Sequence, residues 1–154
     1  MYCITAHEYG GNLENRLRLA NEIIQEVRAS VGEDYIVAIR FGAYDYLEGG
    51  SKLEEIPFAV QSFIDSGVDL IYISGGLCRS RNPYSKEPGY FKELSKIAKE
   101  ASSVPVILTG GVKKARDAEN LLKEGYCDLI GIGRAMLMDA EWSKKALKSL
   151  ENIQ

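Results

Sequence analysis

Four apolar segments alternate with amphipathic segments along this chain, and this alternation constrains the fold more than any other feature. The apolar segments span residues 35–41, 68–74, 104–109 and 129–132. Strands that are apolar throughout are typical of parallel sheets that are covered on both faces. Regular alternation of strands and helices therefore predicts an α/β fold with a parallel sheet and right-handed crossovers. Helices are predicted at residues 13–29, 58–66, 88–101, 113–123 and 141–150, with a short helical turn after Arg134.

Local signals refine some of these boundaries. Ser51 and Glu54 have the spacing of a capping box before the second helix, and Pro88 suits the first turn of the third. The connection at residues 75–87 is long and polar for a scaffold loop, which favours a role in covering a site.

Two junctions between a strand and a helix carry glycines. Gly110 and Gly111 follow the third predicted strand, and Gly133 and Arg134 follow the fourth. Glycine lets backbone N–H groups approach a phosphate, and arginine adds fixed donors. Either junction alone is as easily explained by a tight turn. Together, and with Arg134 at the second, they favour a phosphate site at the carboxyl edge of the sheet.

Composition excludes several classes of function. The 154 residues are interpreted as a single domain, residues 1–154, and the net charge of -3 favours neither nucleic acid nor an anionic membrane as a partner. Cys3, Cys78 and Cys127 are scattered and odd in number, which fits the reducing cytoplasm better than a disulfide framework. His7 is the only histidine, so no histidine-rich metal site is expected.

The motifs of the chain resemble those of one known family, in the same order. Residues 7–16, HEYGGNLENR, resemble the signature D-E-Y-G-G-S-x-E-N-R of the Old Yellow Enzyme family, the FMN-dependent NAD(P)H:flavin oxidoreductases. Residues 37–40 resemble its fifth strand, residues 110–112 its seventh, and residues 133–139 its eighth, with Ala140 in place of proline. The resemblance implies the C-terminal half of a (β/α)8 TIM barrel, strands five to eight with their helices.

By this resemblance, Gly110, Gly111, Gly133 and Arg134 bind the phosphate of FMN. Arg40 lies against the flavin ring, where a cation would stabilise the charge that hydride transfer creates. The alternative for Arg40 is an arginine at a strand end that pairs with a surface carboxylate. Hydride would pass from NADH or NADPH through FMN to an activated alkene or a similar small-molecule acceptor. By the same resemblance, the family's substrate-anchoring His-His or His-Asn pair belongs to a fourth strand that has no counterpart here.

Three interpretations of the whole chain therefore remain open. It is the FMN-binding part of an oxidoreductase, a catalytically inactive half-barrel that binds FMN or another phosphate ligand, or an empty structural fragment. Its free strand edges predict a homo-oligomer or pairing with a missing N-terminal half.

Several loop residues allow two interpretations. Arg79 and Arg81, near Cys78, could bind a second anion, but solvated loop arginines are commoner. Tyr44 and Tyr46 could line the substrate mouth or lie exposed. Gly75 and Gly76 are interpreted as a turn.

Overall fold

The structure is a computed structural model that describes residues 7–78 and 81–151. Cys3 and Arg79 lie outside the described residues. The strands are Ala38–Tyr44 (β1), Leu70–Gly75 (β2), Val106–Leu108 (β3) and Leu129–Ile130 (β4). The helices are Leu13–Val31 (α1), Ile56–Asp65 (α2), Lys92–Glu100 (α3), Ala115–Lys123 (α4), Arg134–Met138 (α5) and Trp142–Glu151 (α6). No helix among the described residues has the length and apolar character needed to cross a membrane.

The strands form one parallel sheet in the order β1-β2-β3-β4. Arg40 lies beside Tyr72, Tyr72 beside Ile107, and Ile107 beside Leu129. The predicted parallel α/β alternation is confirmed. Because all four strands run the same way, their carboxyl ends meet at one edge, and the turns that follow them lie close together.

The first strand is displaced from its prediction. It begins at Ala38 rather than at residue 35 and continues to Tyr44, so Arg40 lies inside the strand and does not end it. Tyr35 and Ile36 are 68% and 72% exposed. An apolar run alone does not reveal where pairing starts. Here pairing is set by the register, in which Ala38 lies beside Leu70.

Two predicted helix starts are also wrong. The Ser51 hydroxyl donates to a carboxylate oxygen of Asp45 at 2.9 Å instead of capping a helix. Glu55, not Glu54, accepts the backbone N–H of Lys52 at 3.1 Å, and α2 follows. Helix α3 begins four residues after Pro88, at Lys92.

The two faces of the sheet differ. Ile71, Ile73, Val106 and Leu108 point toward the helices, and each is fully buried. The residues of the opposite face are only partly covered, and Leu129 is 48% exposed. We call this the open face; it comprises Ala38, Arg40, Leu70, Tyr72, Ile107 and Leu129. The prediction that both faces of the sheet are covered is therefore confirmed for the face that packs against the helices. It is not met on the opposite face by the residues that the structure describes.

One arrangement occurs twice at the amino end of the sheet. Asp69 accepts the backbone N–H of Val37 at 2.8 Å and pairs with Arg28. Asp128 accepts the N–H of Val106 at 2.9 Å, and it pairs with a lysine of α3 at 3.0 Å. Each aspartate immediately precedes one strand. Its carboxylate accepts a backbone N–H at the start of the strand before that one, or just ahead of that start. We call these two arrangements the aspartate clamps.

The clamps lower the pKa of both aspartates. For Asp69 the backbone N–H of Val37 is the main cause, followed by the Arg28 guanidinium. Burial raises the pKa of Asp128, but the Val106 N–H and the paired lysine outweigh it, and the net pKa is below the usual value.

Candidate functional site

A cavity of about 710 Å³ opens at the carboxyl end of the sheet. This volume lies within the range of small-molecule and cofactor sites. All five residues that the sequence nominated as site residues line it: Arg40, Gly110, Gly111, Gly133 and Arg134. The turns after β3 and β4 therefore do meet at one site, together with the middle of β1. Tyr72, Arg81, Tyr90, Phe91, Thr109, Val112, Lys113, Gly131, Ala135 and Met138 complete the wall.

The charge of the cavity wall is positive. Arg40, Arg81, Lys113 and Arg134 line it, and none of the lining residues is acidic. The wall is thus positive although the whole chain carries a net charge of -3. Clefts lined by one sign of charge attract ligands of the opposite sign. The wall is thus suited to an anion.

The turn after β3 has a backbone that only glycine adopts easily. Gly110 has φ +130° and Gly111 has φ +71°. Among the described residues, no acceptor contacts the backbone N–H of Gly111 or of Val112. These groups are donors at the cavity wall, as an anion site requires.

The turn after β4 is open toward the cavity. A Cβ atom added to Gly133 would meet no atom within 4 Å, so the space above this residue is free for a ligand. Arg134 follows it and begins α5. The Arg134 guanidinium donates to the Tyr90 hydroxyl at 3.0 Å, and no described carboxylate pairs with it.

Arg40 lies on the open face rather than at a strand end. Its guanidinium carbon is 5.3 Å from the centre of the Tyr72 ring, and its Nε is 3.5 Å from the Ser74 hydroxyl. Among the described residues it forms no ion pair with a carboxylate. The arrangement predicted as its alternative, a strand-end arginine neutralised by a surface acid, is therefore absent from the described structure.

Asp45, which sequence reasoning missed, joins the loops after β1 and β2. It is 1% exposed, and it accepts backbone N–H groups from Ser51 at 3.1 Å and Leu77 at 2.9 Å. Burial raises the pKa of this carboxyl, but these hydrogen bonds and the Ser51 hydroxyl lower it, and the net pKa is below the usual value. Gly76 lies directly against the carboxylate, where no side chain would fit. Gly76 follows β2 at a bend, which agrees with the predicted turn, whereas Gly75 is the last residue of the strand.

Tyr44 and Tyr46, for which the sequence allowed either a place at the substrate mouth or an exposed position, have neither: both are partly buried, and neither lines the cavity. The rings of Tyr44 and Tyr46 are 4.6 Å apart, edge to face. The Tyr46 hydroxyl accepts from Asn82 at 3.2 Å, and burial raises the pKa of Tyr46 to about 12. Tyr46 also has a positive φ of 57°, a conformation that costs energy for a residue with a side chain.

Four lining residues carry no sequence signal that would have nominated them: Tyr72, Tyr90, Thr109 and Lys113. Tyr72 and Thr109 belong to strand segments that look like ordinary packing. Lys113 lies in a stretch of two lysines that resembles a solvated surface, and its carbonyl accepts from the Trp142 indole at 2.8 Å. Arg81, left undecided from the sequence, lines the cavity. Among the described residues, no three His, Cys, Asp or Glu side chains cluster as metal ligands would.

Comparison with known proteins identifies the family to which this chain is similar. A sequence model of the NADH:flavin oxidoreductase / NADH oxidase family matches residues 4–152. The chain is 35% identical to an NADH oxidase of Thermoanaerobacter brockii over 94% of its own length and 23% of that protein. It is 30% identical to a cinnamate reductase of Clostridium sporogenes, over 90% of the chain and 24% of that protein.

Solved structures agree with the sequence matches. A 2-naphthoyl-CoA reductase in complex with 2-naphthoyl-CoA superimposes with a TM-score of 0.85 at 28% identity, over 94% of this chain and 23% of that one. The chain therefore spans about a quarter of the length of these relatives.

Proposed function

The chain belongs to the NADH:flavin oxidoreductase / NADH oxidase family, and on that basis we propose that it is the FMN-binding part of an oxidoreductase. Hydride would pass from NADH or NADPH by way of FMN to an activated alkene or a similar small molecule. In this proposal the four strands are the C-terminal half of a (β/α)8 barrel. The parallel order of the sheet and the single layer of helices support this assignment.

The observation that carries the proposal is the cavity wall of four cations without an acid. FMN is an anion through its phosphate. A phosphate needs converging donors with little bulk, and the glycine turns after β3 and β4 supply them beside Arg134. The residues present thus fit this cofactor.

Each predicted residue has a distinct task in this proposal. Arg134 and the N–H groups at Gly111 and Gly133 would hold the phosphate, and Arg134 would do so through charge-assisted hydrogen bonds. Arg40, without a carboxylate partner among the described residues, would place its charge at the edge of the flavin ring. FMN, when bound, supplies the capacity to accept and donate hydride. The protein's contribution is to bind and orient the cofactor and to stabilise negative charge.

Two observations support the proposed class of hydride acceptor: the name of one relative and the charge of the cavity wall. Cinnamate, for which one relative is named, has a carbon–carbon double bond conjugated to a carboxylate. This is an activated alkene, and it is an anion. A wall with Arg81 and Lys113 in addition to Arg40 and Arg134 suits such a ligand. An unsaturated carboxylate is therefore the acceptor we propose to test first.

A second candidate function is FMN binding without turnover, and the third is an empty fragment. The open face favours these candidates, because the described residues cover that side of the sheet only in part. His7, the only histidine, precedes α1 and lies on no strand of the described sheet. We therefore expect the isolated chain to be a weak or inactive oxidoreductase.

One experiment separates the three candidates. The purified chain is mixed with FMN, free flavin is removed by gel filtration, and NADH oxidation is measured with and without cinnamate against free FMN. Retained flavin with NADH oxidation above the background supports the oxidoreductase. Retained flavin without turnover supports the binding module. A colourless protein that does not bind FMN in a titration contradicts both.

We also propose that the open face is covered by another chain. Its members are mostly apolar, and the outer edges of β1 and β4 have no strand partner among the described residues. Exposed edges and apolar surfaces promote association. A second copy related by a two-fold axis could close an eight-stranded barrel, and a separate N-terminal half is the competing partner.

Sedimentation over a range of concentrations tests this association. We expect a dimer that Leu129→Lys dissociates, because the change puts a charge on the open face. Leu147→Lys, at a 65% exposed position of α6, is the matched control and should leave the dimer intact. A monomer at high concentration would contradict pairing of two copies.

A further inference from the structure

We propose that Tyr90 is a positioning residue of the phosphate site: its hydroxyl fixes the Arg134 guanidinium over the glycine turn that its ring covers. The inference rests on the proposed function, because it concerns the same site. Tyr90 lies between β2 and α3, away from the two glycine turns in sequence. It joins the segments that follow three strands.

The backbone around Tyr90 is tied to the turn after β3. The N–H groups of Gly89 and Tyr90 both donate to the carbonyl of Gly110, at 2.6 and 3.2 Å. The Asn82 side chain donates to the Tyr90 carbonyl at 2.8 Å. The neighbouring Phe91 is 2% exposed and contacts the Tyr90 ring edge to face, with centroids 4.7 Å apart. The position of the ring is thus set from several sides.

The ring lies directly against both glycines. A Cβ atom on Gly110 would be 2.9 Å from the ring, and one on Gly111 would be 2.7 Å from it. Real Cβ atoms essentially never come so close to a neighbouring atom. The glycine pair therefore serves two purposes: it permits the positive φ angles, and it leaves room for Tyr90.

The hydroxyl reaches the turn after β4. It accepts a hydrogen bond from Nη2 of Arg134 at 3.0 Å. A guanidinium has five N–H donors, so this bond leaves donors for a phosphate while it restricts the side chain. A flexible arginine loses rotational freedom when it binds, and holding it beforehand removes part of that cost. Tyr90 would therefore act on the ligand through Arg134.

Tyr90→Phe tests the proposal, because it removes the hydroxyl and keeps the ring against the glycines. Binding is measured by titration with FMN and with riboflavin, which lacks the phosphate. We expect FMN to bind about threefold to tenfold more weakly, the effect of one side chain left mobile, and riboflavin to bind as before. Tyr35→Phe, at an exposed tyrosine near the amino end of the sheet, is the matched control.

A double-mutant cycle with Arg134→Ala identifies the route of the effect. If Tyr90 acts through Arg134, Tyr90→Phe should change FMN binding less than twofold in the Arg134→Ala background. A full effect in that background would overturn the proposal, and so would equal losses for FMN and riboflavin or unchanged FMN binding in Tyr90→Phe alone. If the unaltered chain does not bind FMN at all, the proposed function itself fails, which is a distinct result.

Discussion

The two ends of the parallel sheet use charge in opposite ways. At the amino end, the aspartate clamps pair each carboxylate with a cation and with a backbone N–H of a neighbouring strand. At the carboxyl end, four cations line a cavity that has no acid in its wall. Carboxylates that are paired with cations stabilise the chain, whereas cations that no described carboxylate neutralises are available to an anionic ligand. We therefore propose that this sheet keeps stability at its amino end and ligand binding at its carboxyl end.

Arg134→Ala should have the largest effect, and it should act on binding. Loss of hydrogen bonds to a charged group should weaken FMN binding by about 1.5–3 kcal/mol, or about 10- to 150-fold. Because no described acid pairs with Arg134, the free energy of unfolding should change little. A fluorescence titration of Trp142 checks the first point and urea unfolding the second.

Lys123→Ala is the control for Arg134→Ala. It removes the same charge from an exposed position of α4, where the lysine forms an ion pair with Glu119 at 2.7 Å. FMN should bind this variant as well as it binds the parent chain. Unchanged FMN affinity in Arg134→Ala would refute the role assigned to this residue.

Substitutions in the aspartate clamps should show the reverse pattern. Asp69→Ala leaves the N–H of buried Val37 without its acceptor, and Asp128→Ala does the same to Val106. Each should lower the free energy of unfolding by about 1–3 kcal/mol, the cost of an unpaired buried donor. FMN affinity should stay within twofold. A large loss of affinity in either variant would break the separation between the two ends.

Two glycines with the same backbone conformation lie at opposite ends of the sheet. Gly111 at the carboxyl end and Gly125 at the amino end have φ of +71° and +76°. Alanine at either should cost about 1–2 kcal/mol of stability, because this backbone is unfavourable for a residue with a Cβ atom. The Cβ at 125 would meet nothing within 4 Å, whereas that at 111 would press on Tyr90. Only Gly111→Ala should therefore weaken FMN binding as well, and equal affinities in the two variants would contradict this view of the turn.

The smallest effect is that of pH, and it belongs to the amino end. The pKa values of Asp69 and Asp128 are lowered in the folded chain, so both carboxylates stabilise it fully above the unfolded pKa of about 3.9. This contribution is lost as the pH falls through the folded pKa values. Melting temperatures at pH 6 and pH 3 should differ less in the double variant Asp69→Asn, Asp128→Asn. An identical pH dependence would show that other carboxylates dominate acid unfolding.

Sequence reasoning was accurate where a local pattern carries the information. Apolar runs and helical spacing predicted the order of strands and helices, since burial on the helix side requires that periodicity. It was inaccurate at the start of β1, where residues 35–37 are as apolar as the strand itself. The predicted capping box at Ser51 was also wrong, because the Ser51 hydroxyl donates to Asp45 instead. Strand starts and capping partners depend on which residues lie close in the folded chain, and the local sequence does not contain that information.

The amino-acid sequence alone was enough to predict the parallel α/β alternation, the family and five of the residues that line the cavity. These are encoded locally, in apolar runs, in glycines that permit unusual backbone angles and in motifs of fixed spacing. The folded structure was needed to show that Arg81 and Lys113 line the same cavity, that Arg40 has no described acidic partner and that Tyr90 contacts both glycine turns. Those facts depend on distances between segments far apart in the chain. Such distances are set by the register of the strands and the packing of the helices, and neither can be read from one segment alone.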